Sequence, residues 1–311
     1  MSNKMTVSDL LDVLDDIEIV SGEDYLDKQI TVSDVYRPAL ELTGYFKFYP
    51  KERVQLFGKT EISYINSLSE ADRIDRFEKL VQAETPMFLV SRGLDIPEEL
   101  LEQAKKIGVP VLSAKRTTTQ LSSRVTNVLD RRLAERKVVH GVLVDINGMG
   151  ILIQGQSGIG KSETALDLIR RGHRLVSDDR VDLYTTDNVR IHGEGPEVTK
   201  HMLEVRGVGI IDVINLFGVG SVRDYARVDL IVHLELWDNK TQYDRLGQSV
   251  NTQRIFDVDI PSMIVPVSPG RNIAIIIETA AMTMRARAMG YNATEQLMEN
   301  INKQMEKNKN K

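Results

Sequence analysis

The chain is predicted to be an α/β protein of two domains, a small N-terminal α/β domain over residues 1–132 and a C-terminal phosphate-loop domain over residues 133–311. Three observations predict this. Its 311 residues are enough for about two domains on the usual size range. Residues 87–112 read as strand, helix and strand, the unit of a parallel sheet. Residues 155–163, GQSGIGKSE, form a glycine-rich loop between an apolar run and an amphipathic helix.

The elements follow in order. Ser8 reads as an N-cap, with Leu10, Leu11, Leu14 and Ile17 on one helical face behind it. The apolar run Met87, Phe88, Leu89, Val90 is a strand broken by Arg92 and Gly93. Pro97 opens a helix through Ile107, Gly108 stops it, and residues 109–112 form the next strand. Residues 121–139 read as a polar connecting helix carrying Arg124, Arg131, Arg132, Arg136 and Lys137, with the domain boundary near 132. Residues 142–146 and 149–153 are apolar runs joined by Asn147-Gly148, a strong hairpin signal. The second run feeds the glycine-rich loop and is thus antiparallel to its predecessor, unlike the entry strand of common phosphate-loop NTPases. Ala165, Leu166, Leu168 and Ile169 give the following helix its apolar face, and Gly172 ends it.

Composition narrows the function. Hydrophobic residues at 41% and charged residues at 27% are ordinary for a globular protein. A net charge of −5 argues against nucleic acid or an anionic membrane as the main partner. Lys303, Lys307, Lys309 and Lys311 make a basic tail that reads as a solvated end. With no cysteine, disulfides and thiolate metal sites are excluded, and a cytoplasmic location is expected. The first residues, MSNKMTVSDLLDVLDD, are acidic and lack the apolar centre of a signal peptide. No run approaches the ~20 apolar residues of a membrane span.

The chemistry begins at the loop. Gly155, Gln156, Ser157, Gly158, Ile159, Gly160, Lys161 and Ser162 fit G-x-x-x-x-G-K-[ST]. Glycines let backbone N–H groups close on phosphate oxygens, and the helix N-terminus adds positive charge. Lys161 would reach the outer phosphates, and the Ser162 hydroxyl would serve Mg²⁺. Glu163 has two readings, a dipole-favoured first-turn residue or a neighbour of the metal. Asp178 and Asp179 end a short strand in a weak version of a Walker B ending; they are either a solvated turn or a pair divided between metal and acceptor. His140, just before the hairpin, carries no chemistry by itself. His173, His192, His201 and His233 show no metal-ligand spacing, so zinc is not expected. Glu204 and Arg206, before Gly207-x-Gly209, offer a metal ligand and a phosphate clamp. Arg245 and Arg271 are further phosphate candidates, each also readable as a surface ion pair.

Taken together and in order, these stretches resemble the HPr kinase/phosphorylase family. The resemblance rests on His140-Gly141, the loop with Glu163, Asp178-Asp179, the stretch Glu204-Val205-Arg206-Gly207-x-Gly209-Ile210, Arg245, and Pro266, Val267, Ser268, Pro269, Gly270, Arg271. The N-terminal half is similar through Arg37-Pro38, Gly44-Tyr45-Phe46 and Thr85-Pro86. Gln156 departs from the acidic residue often found there, at a position whose side chain need not touch phosphate.

This resemblance implies a C-terminal domain akin to phosphoenolpyruvate carboxykinase and assembly as a homohexamer. It implies phosphorylation of a serine of the phosphocarrier HPr with ATP or pyrophosphate, and its removal by orthophosphate to give pyrophosphate. Fructose 1,6-bisphosphate would favour the kinase direction. Lys161 and the loop amides would hold phosphate, and Ser162 and Glu204 would hold Mg²⁺. Asp179 would accept the seryl proton and return it in reverse, with His140 orienting Asp179 or the incoming phosphate. Arg245 would stabilise charge on the moving group, and residues 266–271 would serve dephosphorylation. The rivals are a small-molecule kinase or carboxykinase-like phosphotransferase, a regulatory phosphate-loop NTPase, and a nucleotide-sensing module without catalysis.

Overall fold

The computed structural model describes residues 4–238 and 251–309. It divides into two compact units, the first ending at Glu135 and the second beginning at Arg136.

The first unit contains β1 (Met5–Thr6), α1 (Val7–Val13), β2 (Ile17–Ser21), β3 (Gln29–Ile30), β4 (Val35–Tyr36) and β5 (Val54–Phe57). It continues with α2 (Lys59–Ser67), α3 (Glu70–Leu80), β6 (Phe88–Val90), α4 (Glu98–Ile107), β7 (Val111–Ala114) and α5 (Thr118–Leu133). Its main sheet runs β2-β7-β6-β5-β4. The β4–β5, β5–β6 and β6–β7 pairs are parallel, and β2 joins β7 antiparallel.

Local chemistry explains most of these boundaries. Helix α4 has Glu98 and Glu99 in its first turn, Lys105 and Lys106 in its last, and Gly108 at its C-cap with φ 78°. The strand expected from Val109 begins at Val111, because the Gly108 and Val109 N–H groups both donate to Ala104 O (2.9 Å each) and close the helix. The first helix is capped by Thr6, not by Ser8. Asp9 lies three residues after Thr6, so the Thr6 hydroxyl accepts from Asp9 N–H (3.1 Å) while the Asp9 carboxylate accepts from Thr6 N–H (2.8 Å). The helix then stops at Val13, and Ile17 opens β2. The polar helix expected at 121–139 stops at Leu133. Its Leu121, Val125 and Leu129 are buried in the first unit, and Arg136 and Lys137 instead lie in a strand of the second.

The second unit opens with β8 (Arg136–His140), β9 (Val142–Ile146), β10 (Met149–Gly155), α6 (Lys161–Arg170), β11 (Arg174–Ser177), β12 (Arg180–Tyr184) and β13 (His192–Glu194). There follow β14 (Met202–Val205), β15 (Gly209–Asp212), α7 (Val213–Phe217), β16 (Tyr225–Leu236), β17 (Asn251–Ile255), β18 (Val258–Val267), α8 (Ile273–Ala288) and α9 (Ala293–Lys309). The central sheet runs β11-β9-β10-β16-β13-β12-β8, with β18 also pairing with β16 and β17 with β18.

The β9–β10 hairpin forms where expected, with Ile146 opposite Met149 and the turn residues Asn147 and Gly148 at φ 52° and 90°. Positive φ at both positions suits Asn-Gly and few other pairs. Strand β10 is antiparallel to β9 and parallel to β16, so the sheet around the loop is mixed. Gly150 admits the close approach of β16, for a Cβ there would lie 1.9 Å from Arg227 O. Both faces of the hairpin are covered. Val142, Val144, Ile151 and Ile153 pack with Ala165, Leu168 and Ile169 of α6 and Ile277 of α8, while Leu143 and Leu152 pack with Val181 and Ile231. Burial on both sides is why these strands read as nearly continuous apolar runs, interrupted in β9 by Asp145, which is paired with Arg174 and Arg223. The result delivers the loop from the middle of the sheet.

Candidate active site

The turn from β10 into α6 contains Gly155, Gly158 and Gly160, each at positive φ (152°, 83° and 98°). Left-handed glycines of this kind are what lets a loop turn its N–H groups toward an anion. Lys161 Nζ lies back across the loop and donates to Gly155 O (3.0 Å) and Gln156 O (3.1 Å). Helix α6 starts beside it, with Ser162 and Glu163 in the first turn and Thr164 Oγ1 donating to Gly160 O (2.7 Å).

The end of β11 brings two carboxylates to this turn and separates their environments. Asp178 accepts from Ser162 Oγ (2.9 Å) and from Glu204 N–H (2.9 Å), which links the loop helix to β14. Burial pushes the Asp178 carboxyl above the usual range, and the Asp179 charge adds to this against the Ser162 and Glu204 hydrogen bonds. Asp179 instead stands 84% exposed, in left-handed backbone at φ 62°, with its Oδ1 4.0 Å from His140 Nδ1. The pair is therefore not a uniformly solvated turn. Gly141 N–H donates to Asp179 O (2.9 Å), and His140 pairs with Arg180 across β8 and β12, so the two segments are held side by side.

Strands β14 and β15 form a hairpin over the loop. Leu203 and Val205 are buried, and Glu204 between them faces outward. Arg206 Nη2 lies 3.4 Å from Ser157 Oγ, and its guanidinium lies where a Cβ on Gly158 would come within 2.7 Å of Nη1. Gly158 thus makes room for a cation directly over the cradle.

These groups enclose a cavity of ≈ 150 Å³ lined by Ser157, Gly158, Gly160, Lys161, Ser162, Glu163, Asp178, Asp179, Glu204 and Arg206. Residues as far as 49 positions apart in sequence meet there. Gly155, Gln156, Ile159 and His140 flank the cavity without lining it, and Glu163 keeps both its readings, being in the first helical turn and on the cavity wall. The stretch Pro266, Val267, Ser268, Pro269, Gly270, Arg271 follows from β18, with Arg271 Nη1 donating to Pro266 O (3.3 Å) and the guanidinium 5.5 Å from the Trp237 ring centre. Arg245 lies outside the described residues.

The family profile described as HPr Serine kinase C-terminal domain matches residues 131–301, and that described as HPr Serine kinase N terminus matches residues 5–129. The chain belongs to the HPr serine kinase family. The C-terminal HPr serine kinase match contains every residue that lines the cavity, and the first structural unit corresponds to the N-terminal one. A relative called HPr kinase/phosphorylase from Lactobacillus johnsonii is 54% identical over 100% of this chain and 98% of its own length. Another of that name from Levilactobacillus brevis is 50% identical over the whole of both. A solved structure titled the Hpr(Ser) kinase/phosphatase from Coxiella burnetii is 35% identical, covering 52% of this chain and 98% of that one, with a TM-score of 0.47. As expected for the HPr serine kinase family, the fold is α/β with a phosphate-loop unit at the C-terminal side.

His233, weighed above only as a zinc ligand, and Glu235, not singled out above, lie at the end of the strand parallel to β10. The available signal was the run Leu230, Ile231, Val232, His233, Leu234 closed by an acid, the form of a central strand ending at a site.

Proposed function

We propose that this chain phosphorylates a serine of the phosphocarrier HPr with ATP or pyrophosphate, and removes the phosphate with orthophosphate to give pyrophosphate. The observation that carries the reading is the single cavity joining a glycine–lysine phosphate cradle to the exposed carboxylate of Asp179. The near-identical length and the names of the relatives support HPr as the acceptor.

The residues present fit Mg²⁺. Ser162 Oγ, Glu204 and the neighbouring carboxylates are hard oxygen donors, yet the described residues contain no group of three or more His, Cys, Asp or Glu able to hold a metal. Mg²⁺ takes one or two carboxylates together with waters and substrate phosphates, and the oxygen donors here are of that kind. Ser162 Oγ–H donates a hydrogen bond to Asp178, which leaves the hydroxyl lone pairs for a cation, with Glu204 as the second ligand. Bound there, Mg²⁺ would offset charge on the outer phosphates.

Lys161 and the loop amides hold the donor, and Arg206 closes over it. In the forward direction the serine oxygen attacks the donor's terminal phosphorus, the bridging P–O bond breaks to release ADP (or orthophosphate from pyrophosphate), and Asp179 accepts the seryl proton. In reverse, an orthophosphate oxygen attacks phosphorus, the serine oxygen leaves, and Asp179 returns its proton. His140 orients Asp179. With the loose transition state of phosphoryl transfer, positioning and charge outweigh early deprotonation. Arg245 and residues 266–271 carry, in this reading, transition-state charge and the dephosphorylation direction. The cytosol as location, a homohexamer and activation by fructose 1,6-bisphosphate belong to the same proposal; sedimentation tests the assembly, and initial rates of HPr labelling with and without the effector test the activation.

The deciding experiment incubates the purified chain with HPr and Mg-ATP labelled in the γ-phosphate. Label is expected on an HPr serine, and then in pyrophosphate when orthophosphate is added. Release as orthophosphate alone would remove the phosphorylase half, and an unlabelled HPr would remove both.

A further inference from the structure

Three strands end at one edge of the central sheet: β10 at the phosphate loop, β16 at Leu236 and β18 at Val267, with β10–β16 and β16–β18 parallel. Ligands of α/β sheets collect beyond the carboxyl ends of such strands. Between the first two ends lies a second cavity of ≈ 400 Å³, lined by Gly155, Gln156, His233, Leu234, Glu235 and Leu236. That volume falls within the ~300–1,000 Å³ of small-molecule sites. It is well above the ≈ 150 Å³ around Lys161 and Asp179.

The two cavities are consecutive along one loop. Gly155 and Gln156 line the larger, Ser157 and Gly158 the smaller, and Lys161 Nζ ties the first pair to the start of α6. Their chemistry differs. The smaller presents only glycine, hydroxyl and charged side chains, which suits phosphate and its cation. The larger combines leucines with an imidazole and a carboxylate. Leu236 is 68% exposed and offers apolar surface to be covered. His233 Nε2 lies 3.0 Å from Gln253 Oε1 on β17, which orients the ring. Among the described residues the Glu235 carboxylate has no partner, so it stands ready to accept hydrogen bonds.

We infer that this larger cavity seats the nucleoside of the phosphoryl donor, with Glu235 accepting from the ribose hydroxyls and Leu236 covering apolar surface of the base. A nucleoside is the group covalently joined to the phosphates that the adjacent loop holds, and its hydroxyl donors match a free carboxylate. The inference rests on the reading that the loop binds donor phosphates. It also divides the two donors: pyrophosphate has no nucleoside and uses the smaller cavity alone.

The test is calorimetric titration of the full chain with Mg-ADP and with Mg-pyrophosphate, for the wild type, Glu235→Ala and Glu235→Gln. Losing hydrogen bonds to a charged acceptor predicts about a tenfold or greater rise in the ADP Kd of Glu235→Ala, with Glu235→Gln between it and wild type. The pyrophosphate Kd stays unchanged, which also reports an intact fold. Unchanged ADP binding, or equal weakening of both ligands, overturns the inference. A raised KM for the protein acceptor with normal ADP binding overturns it as well, by assigning the cavity to the acceptor. A wild-type chain that binds neither ligand overturns the donor-phosphate reading, and this inference with it.

Discussion

Asp178 and Asp179 are adjacent in sequence, and their replacement by asparagine is expected to separate stability from catalysis. At Asp178, one carboxylate accepts from both Ser162 Oγ and Glu204 N–H, at 2.9 Å each. An asparagine keeps one acceptor for Glu204 and turns an N–H₂ toward Ser162, whose hydroxyl must then accept. Both bonds survive in form but lose the charge. A hydrogen bond to a charged group contributes about 1.5–3 kcal/mol and a neutral one about 0.5–1.5, but the burial that raises the Asp178 carboxyl penalises the charge being removed and offsets that difference. What remains is the reversed Ser162 contact, a loss of about 1 kcal/mol. For a unit of this size that is about 2–4 °C in melting temperature. Ser162 would meanwhile spend a lone pair on the amide, and the Mg²⁺ concentration for half-maximal transfer should rise. Asp179 is 84% exposed and accepts neither bond, and asparagine tolerates its φ of 62° as well as aspartate does. Asp179→Asn should therefore melt within about 1–2 °C of wild type, the shift of a surface change under ~0.5 kcal/mol. It should still bind Mg-ADP while transfer falls by ~10²–10⁴-fold. Thermal melts and initial rates of HPr labelling across a Mg²⁺ series provide both readouts. Equal melting losses for the two variants, or normal transfer by Asp179→Asn, would refute the division of labour.

Two further outcomes concern the loop and its support. Lys161→Ala should abolish phosphorylation and phosphorolysis together, since one cradle serves both directions; a variant active in either direction would remove the lysine from the mechanism. Asp145 is buried in β9, accepts from Gly148 N–H (2.9 Å) and pairs with Arg174 (3.2 Å) and Arg223. Burial alone would raise its carboxyl, but the Gly148 hydrogen bond and the two guanidinium groups outweigh it and hold the group below the usual range. Its folded pKa is thus lower than the unfolded ~3.9, so its stabilisation is complete above that pH and is lost as pH falls through the folded value. Both arginines are more than a third exposed, so screening limits the loss in Asp145→Asn to about 1–2 kcal/mol at pH 7. Urea midpoints should differ at neutral pH and begin to converge as pH falls below about 4, meeting only below the folded pKa; a gap that never narrows in acid would refute the linkage.

The parts legible in the sequence are those whose cause lies within a few residues. Asn147-Gly148 specifies a turn because both positions need positive φ, and Gly108 ends α4 because its backbone is left-handed. The loop is readable for the same reason, since its glycines, lysine and serine fall within a single strand–helix turn. Even there, neighbours compete. Thr6 takes the cap from Ser8 because Asp9 stands at the right spacing to answer it.

By itself, then, the sequence determined a glycine-rich strand–helix turn of phosphate-cradling form at residues 155–162, and which carboxylates were available near it. Only the tertiary structure decided that Asp178 braces Ser162 and Glu204 while Asp179 is left to face solvent, and that β16 lies parallel to the loop strand with Glu235 at its end. Those outcomes depend on strand register and on contacts between residues up to about eighty positions apart, as between Gly155 and Leu234. Backbone preference acts over one turn of chain, whereas a site is assembled by the packing of the sheet as a whole.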